Sequence, residues 1–169
     1  MKAWPLKGLV VKMSIPLRRF PNHLRGVVPT ATLWDTPPAN LERCVDEDLD
    51  THAHVALHNN ANNEEFGRLT FNLGGRKWGF LFVKLAMWKS GAGTPSLYVM
   101  DQDGVYVHEA FGDNAHLIIT GSLATEEVRF SPMVLFQGSQ LVLSFDYAGG
   151  PGTPRVKVYE VMLFQPFVG

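Results

Sequence analysis

Residues 67–73 read Gly-Arg-Leu-Thr-Phe-Asn-Leu, and apolar side chains alternate there with polar ones. A period of two is the pattern of a strand with one buried face. Residues 80–88 read Phe-Leu-Phe-Val-Lys-Leu-Ala-Met-Trp and begin apolar at both parities, which is typical of a central strand. The two stretches predict a protein built on a β-sheet.

Short apolar runs continue along the rest of the chain, divided by turns rich in glycine and proline. Asp103-Gly104 predicts a hairpin, because glycine accepts the positive φ of such turns. Further strands are predicted at 96–101, 105–110, 117–120, 128–130, 133–136, 141–147 and 155–164. The fold class is therefore all-β, a jelly-roll β-sandwich of about eight strands over residues 39–169. Its predicted core comprises Leu69, Phe71, Leu73, Phe80, Phe82, Val99, Leu141, Leu143, Val156, Val158 and Leu163.

The composition excludes several classes of protein. With one cysteine in 169 residues, the chain forms no disulfide within itself. No apolar window is long enough for a membrane-spanning helix. Lysines and arginines interrupt the first apolar stretch, so no signal peptide is predicted.

Residues 1–38 are predicted to form an extended N-terminal arm. They hold six prolines and six basic residues against Asp35 alone, whereas the rest of the chain has nine basic and fifteen acidic residues. The prolines exclude a persistent helix, and the dispersed basic residues argue against nucleic acid as the partner, because phosphate binding favours a dense run of lysine and arginine. The apolar residues expected to contact a partner are Trp4, Leu6, Leu9, Val11, Ile15, Leu17 and Phe20.

Four motifs in order give the chain a family likeness. They are the acidic turn of 40–51 that ends in Asp48-Leu49-Asp50-Thr51, the strand of 67–74, the segment 97–106 with its Asp-Gly pair, and the segment 155–164 with its Tyr-Glu step. Residues 40–164 resemble the discoidin-like, galactose-binding-like β-sandwich domains. The resemblance implies an eight-stranded jelly roll but no particular function, since such folds serve both as binding and as structural modules.

Two departures from that family weaken a glycan-binding interpretation. The tryptophan usual after the Asp-Thr turn is absent, and His52-Ala53-His54 stands in its place. The cysteine pair of many extracellular members is also missing.

The acidic turn is a candidate cation site. Asp46, Asp48 and Asp50 alternate as oxygen ligands of calcium do in a loop, and in the resembled family this turn can carry a structural Ca²⁺. The spacing does not match an EF-hand, and a solvated acidic turn is the alternative. His52, His54 and His58 are a weaker candidate for zinc, against a plain polar loop.

The sequence predicts binding or assembly rather than catalysis, because no nucleophile elbow, phosphate loop or zinc-protease motif is present. The preferred hypothesis is a structural protein of a bacteriophage or virus virion, as a capsid or tail component. It would be assembled in the host cytoplasm and would dock on neighbouring subunits through its arm, as a homo- or hetero-oligomer. The alternative is a carbohydrate-binding module or receptor-binding domain, with Trp88, Tyr106 and His108 as glycan contacts.

Overall fold

A computed structural model describes residues 21–105, 117–120, 124–131 and 133–165. These residues form eight strands and one 3₁₀ turn, so the all-β prediction is confirmed. Among them, no helix is long and apolar enough to cross a bilayer. The strands are β1 Thr30–Thr32, β2 Ala56–Leu57, β3 Glu64–Gly91, β4 Thr94–Met100, β5 Leu117–Thr120, β6 Val128–Phe130, β7 Val134–Ala148 and β8 Gly152–Phe164, and the 3₁₀ turn is Leu41–Cys44.

The strands are antiparallel and run in the order β2-β8-β3-β7-β4-β5, with β1 and β6 both paired to β3. Two long strands connect the halves of this sheet. The first half of β3 pairs with the second half of β7, and the register then shifts where residues 73–76 oppose Ser139. Gly74 has φ 66° and Gly75 has φ 147°, which glycine adopts without strain. Beyond this shift, β3 pairs with β8, with β6 and with the start of β7.

One hydrophobic core draws side chains from both halves of the sheet, as in a sandwich. From the first half come residues such as Leu69, Phe71 and Leu143, and from the second come residues such as Leu81 and Val161, all fully buried. Nine of the eleven residues predicted for the core are buried.

The prediction that Phe80 and Phe82 belong to the core is wrong. Phe80 is 37% exposed, and Phe82 is only half-buried, whereas Leu81 and Val83 between them are fully buried. Because residues 80–83 are apolar at both parities, the sequence alone does not fix which parity faces inward. The second half of β3 turns its odd-numbered residues to the core and its even-numbered residues outward.

The predicted hairpin turn is present. Gly104 has φ 72° and donates its N–H to the Asp101 carbonyl, and Asp101 donates to the Val105 carbonyl. The predicted return strand over 106–110 lies outside the described residues.

The second part of the predicted arm packs on the sandwich of its own chain. β1 pairs with β3, placing Thr30 opposite Thr70, and Leu24 is fully buried. The Trp34 ring lies 5.5 Å from that of Phe66. The domain boundary at residue 38 stays a prediction, and the arm residues Trp4, Leu6, Leu9, Val11, Ile15, Leu17 and Phe20 lie outside the described residues.

Replacing Gly67 by alanine should destabilise the fold through Trp34. A Cβ atom at residue 67 would lie 2.3 Å from the Trp34 ring, far inside van der Waals contact. We expect the free energy of unfolding to fall by about 1–3 kcal/mol as the ring is displaced, measured by urea denaturation. The control is the same substitution in a Trp34→Ala background, where the ring that a Cβ atom at residue 67 would meet is absent. If Gly67→Ala costs as much stability in that background as in the unmodified protein, the packing of Trp34 against this strand is contradicted.

Candidate functional site

Aromatic side chains line the outer surface of the second half of β3. Since alternate residues of a strand share one face, Trp78, Phe80, Phe82 and Trp88 project away from the core. Neighbouring strands extend the row on both sides, and we call this surface the aromatic face. It comprises Trp78, Phe80, Phe82 and Trp88 of β3, Phe130 of β6 and Tyr159 of β8.

One end of the aromatic face is apolar and exposed. Phe80 lies directly opposite Leu135 of β7, and Trp78 lies opposite Gln137. The rings of Phe82 and Phe130 are 5.9 Å apart, so the apolar surface continues onto β6. We call this part the apolar end.

The other end combines rings with charged groups. Lys157 places Nζ 2.8 Å from both oxygens of Glu126 and 5.9 Å from the centre of the Trp88 ring. The Tyr159 hydroxyl donates to Glu126 Oε1 at 3.3 Å. The His52 ring packs edge-on against Tyr159 at 5.1 Å. We call this group the polar end.

The polar end retains hydrogen-bonding capacity for a ligand. A carboxylate offers about four acceptor sites, and the contacts described above with Lys157 and Tyr159 use three of those of Glu126. His52 Nδ1 lies 2.8 Å from the Ala53 carbonyl, which only accepts, so Nδ1 carries the proton. In the neutral ring, Nε2 is then an acceptor.

Charges hold the polar end together. Burial, and next the Glu126 carboxylate, raise the pKa of Tyr159, while Lys157 lowers it. The phenol therefore stays protonated at neutral pH and remains a donor. Lys84 Nζ lies 4.9 Å above the Tyr159 ring and donates to the Leu49 carbonyl. This lysine separates the polar end from the apolar end.

Sequence reasoning located only part of this site. Trp88 was predicted as a glycan contact and lies at the polar end, while Tyr106 and His108 lie outside the described residues. Glu126, Lys157, Tyr159 and His52 were not predicted as glycan contacts, because they come from distant segments that meet only through the pairing of β3 with β6 and β8. No short motif marks them.

The acidic turn has a different geometry from the predicted row of three ligands. The Asp46 and Asp48 side chains each accept a backbone N–H two residues further on, at 2.9 and 3.0 Å. Oxygens instead converge around the Thr51 hydroxyl. Its Oγ1 lies 2.8 Å from Asp46 Oδ2, 3.2 Å from the Asp48 carbonyl and 3.4 Å from the Arg43 carbonyl.

Glu160 of β8 lies beside this turn and was not predicted as a site residue. It is fully buried, and neither carboxylate oxygen has a hydrogen-bonding partner of good geometry. Burial, followed by the charge of Asp46, raises the pKa of Glu160 to about 8. Nearby Cys44 is also buried, and burial together with Glu160 raises the pKa of its thiol to about 12, so the thiol is inert. A carboxylate buried in this way is costly without a cationic partner.

The three histidines of the weaker zinc candidate do not converge. His52 contacts the Ala53 carbonyl, His54 contacts the Asn40 side chain, and His58 lies between Asp35 and Glu64. Across the described part of the chain, no group of three or more His, Cys, Asp or Glu residues is arranged to hold a metal by itself. Any cation at the acidic turn would therefore also need carbonyl and hydroxyl ligands.

Comparison with models of protein families gives no match, and neither does comparison with curated proteins. Solved structures do resemble the chain. One is the CBM32 of AlyQ in complex with 4,5-unsaturated mannuronic acid, at 18% identity and TM-score 0.43, covering 83% of this chain and 95% of its own. Another is CpGH89CBM32-5 from Clostridium perfringens in complex with GalNAc-β-1,3-galactose, at 15% identity and TM-score 0.43, covering 84% and 99%. A third is chitosan-binding module 2 of the chitosanase/glucanase from Paenibacillus sp. IK-5, in complex with chitotriose, at 11% identity and TM-score 0.41, covering 85% and 100%.

These neighbours agree with the predicted resemblance to galactose-binding-like sandwiches. The prediction of a bacteriophage or virus component is wrong by this comparison: these solved structures are carbohydrate-binding modules, they favour the alternative prediction, and none of the three is a virion component. At TM-scores below 0.5 they do not by themselves establish what this chain binds.

Proposed function

We propose that this domain binds carbohydrate at the polar end of the aromatic face. The observation that carries the proposal is the placement of two half-buried rings, Trp88 and Tyr159, around the Glu126–Lys157 pair. A sugar ring presents apolar C–H groups on its faces and hydroxyls at its edge. A binding site for it needs aromatic surface beside a few well-placed polar groups.

Each polar group has a distinct role in this proposal. Glu126 accepts a hydrogen bond from a sugar hydroxyl at its remaining acceptor site, and Lys157 holds the carboxylate in position while donating its third N–H. His52 Nε2 accepts from a second hydroxyl. Ala86 lies on the same face between Lys84 and Trp88, flanked by Val128 and Lys157, and is itself fully buried.

Replacing Trp88 by alanine should weaken glycan binding by about tenfold or more, equivalent to about 1.4 kcal/mol, because the stacking surface is lost. A glycan array identifies ligands for the unmodified protein, and calorimetry then compares the variants. The panel should include GalNAc-β-1,3-galactose, chitotriose and unsaturated mannuronic acid, the ligands of the similar structures.

Trp78→Ala is the matched control, since it removes the same side chain from the apolar end of the same strand. It should leave affinity unchanged. Glu126→Gln should also weaken binding, because it removes a charged acceptor and releases Lys157. Equal losses in Trp78→Ala and Trp88→Ala would contradict the assignment to the polar end, and no binding across the panel would contradict the function itself.

We also propose that the acidic turn holds a structural Ca²⁺ ion. Calcium takes six to eight oxygen ligands, carboxylates and carbonyls among them. The residues that would hold it are Asp46, Thr51 and Glu160, together with the carbonyls of Arg43 and Asp48. Its charge would displace the proton that the raised pKa leaves on Glu160 at neutral pH, compensate the resulting carboxylate and tie the turn to β8. Of the three predicted ligand side chains, this arrangement uses only that of Asp46.

A further inference from the structure

The acidic turn and the polar end share two short segments of the chain. Thr51, a proposed calcium ligand, is followed directly by His52, whose ring packs 5.1 Å from that of Tyr159. Tyr159 is itself followed directly by Glu160, a second proposed ligand. Each segment therefore contributes one residue to the proposed calcium site and its neighbour in sequence to the proposed glycan site.

The position of Tyr159 is not set by strand pairing alone. The register shifts between Lys84 and Leu85, which pair with Glu160 and Val158, so Tyr159 is the extra residue of a β-bulge. Such a residue is left out of the hydrogen-bonded ladder. The position of its ring therefore depends on the side chains that surround it.

Contacts with the acidic turn hold that ring in place. Lys84 Nζ donates to the Leu49 carbonyl of the turn and lies 4.9 Å from the centre of the Tyr159 ring. The Tyr159 hydroxyl donates to Glu126, the proposed acceptor of a sugar hydroxyl. A turn that moved would take Lys84 and His52 away from the ring, and Glu126 would lose a hydrogen bond that orients it.

The described conformation of the turn brings together more acceptors than donors. The Thr51 hydroxyl has one hydrogen, but it lies between a carboxylate oxygen of Asp46 and two carbonyl oxygens, at 2.8, 3.2 and 3.4 Å. Both carboxyl oxygens of Glu160 are buried beside the turn without a hydrogen-bonding partner. A cation would satisfy these oxygens and so favour this conformation over an open turn.

We propose that the acidic turn controls the polar end: with Ca²⁺ bound, the turn holds His52 and Tyr159 in position for the glycan, and without Ca²⁺ the glycan binds more weakly. This inference rests on the proposed function and on the proposed calcium site. A ligand that binds one of two conformations better shifts the population towards that conformation. Because such coupling is reciprocal, the glycan must raise the affinity for Ca²⁺ by the same factor.

Calorimetry of the whole protein, in saturating Ca²⁺ and in chelator, tests this proposal. The probe is the glycan that binds most tightly on the array among those without a carboxylate, so that the ion does not bind the probe itself. We expect the dissociation constant of this glycan to rise about fivefold or more in chelator. The dissociation constant of Ca²⁺ should fall by the same factor in saturating glycan.

Three variants show whether the effect passes through the turn. In Ca²⁺, Glu160→Gln should bind the glycan as weakly as the unmodified protein does in chelator, although Glu160 is not a proposed glycan contact. Asp50→Asn is the matched control and should keep the full effect, since Asp50 is not a proposed ligand. Lys84→Met should keep the rise in melting temperature that Ca²⁺ produces but reduce the effect of Ca²⁺ on glycan affinity, because it removes the contact between the turn and the Tyr159 ring.

Hydrogen exchange without glycan gives a readout that does not depend on glycan binding. The Ala53 N–H donates to the Val158 carbonyl at 2.9 Å and joins the end of this segment to β8. Peptides that cover residues 49–54 should exchange more slowly in Ca²⁺ than in chelator, whereas peptides from β7 should not change.

The possible results separate this inference from the proposals on which it rests. A lack of glycan binding in both conditions contradicts the proposed function, a lack of Ca²⁺ binding contradicts the calcium site, and either result overturns the inference as well. If both ligands bind and neither changes the dissociation constant of the other, the inference alone is overturned. The same holds if Ca²⁺ leaves the exchange of residues 49–54 unchanged.

Discussion

Replacing Phe71 by alanine should lower the free energy of unfolding by about 3–5 kcal/mol. Phe71 is fully buried in the shared core and pairs with Leu141 of β7, close to the shift that joins the two halves of the sheet. Its removal leaves a cavity that two long strands cannot easily close. Urea denaturation followed by circular dichroism measures the loss, which should appear as a lower midpoint with an unchanged slope.

Phe80→Ala is the matched control, because it makes the same chemical change on the same strand. Phe80 lies on the outer face, so its loss should cost about 1 kcal/mol or less. The sequence pattern predicts similar costs for the two residues, whereas the structure predicts different ones. If both variants lose 3 kcal/mol or more of unfolding free energy, the placement of Phe80 on the outer face of β3 is contradicted.

The phenylalanine pair shows how far a period-two pattern determines a strand. Around Phe71 the neighbours are Thr70 and Asn72, so only one parity can be buried and the prediction is confirmed. Around Phe80 both parities are apolar, and the choice depends on the sheet that covers the strand. The odd-numbered residues face the core on both sides of residues 73–76, but two successive glycines interrupt the alternation there, so the sequence does not show that the same parity continues.

The site residues divide in the same way. The sequence indicated Trp88, because a large aromatic at a strand end is conspicuous. It did not indicate Glu126 or Tyr159, which reach Trp88 only through pairings between segments far apart in the chain. Nor did it indicate Glu160 as a ligand. The irregular alternation near residue 159 was visible, and it corresponds to the register shift at Lys84 and Leu85 that separates Glu160 from Val158.

Adding Ca²⁺ should raise the melting temperature of the unmodified protein by about 5–10 °C at a hundredfold excess over the dissociation constant. Saturation at that level stabilises the folded state by about 2.7 kcal/mol, and for a chain of this size each kcal/mol shifts the midpoint by about 2–4 °C. The structural reason is the buried Glu160 side chain beside Asp46, whose pKa of about 8 leaves it mostly protonated at neutral pH until a divalent cation displaces the proton. Differential scanning calorimetry in chelator and in Ca²⁺ measures the shift.

Glu160→Gln should abolish this shift while leaving the chelator-treated protein about as stable as before, because at neutral pH it replaces a mostly protonated side chain by a neutral one of the same shape. Asp50→Asn is the matched control on the same turn. The Asp50 side chain is not one of the proposed ligands, so Asp50→Asn should keep the rise in melting temperature that Ca²⁺ produces. If both variants lose the Ca²⁺-induced shift equally, the predicted ligand set of Asp46, Asp48 and Asp50 is favoured over the one proposed here. If Ca²⁺ does not shift the melting temperature of the unmodified protein, the proposed calcium site is contradicted.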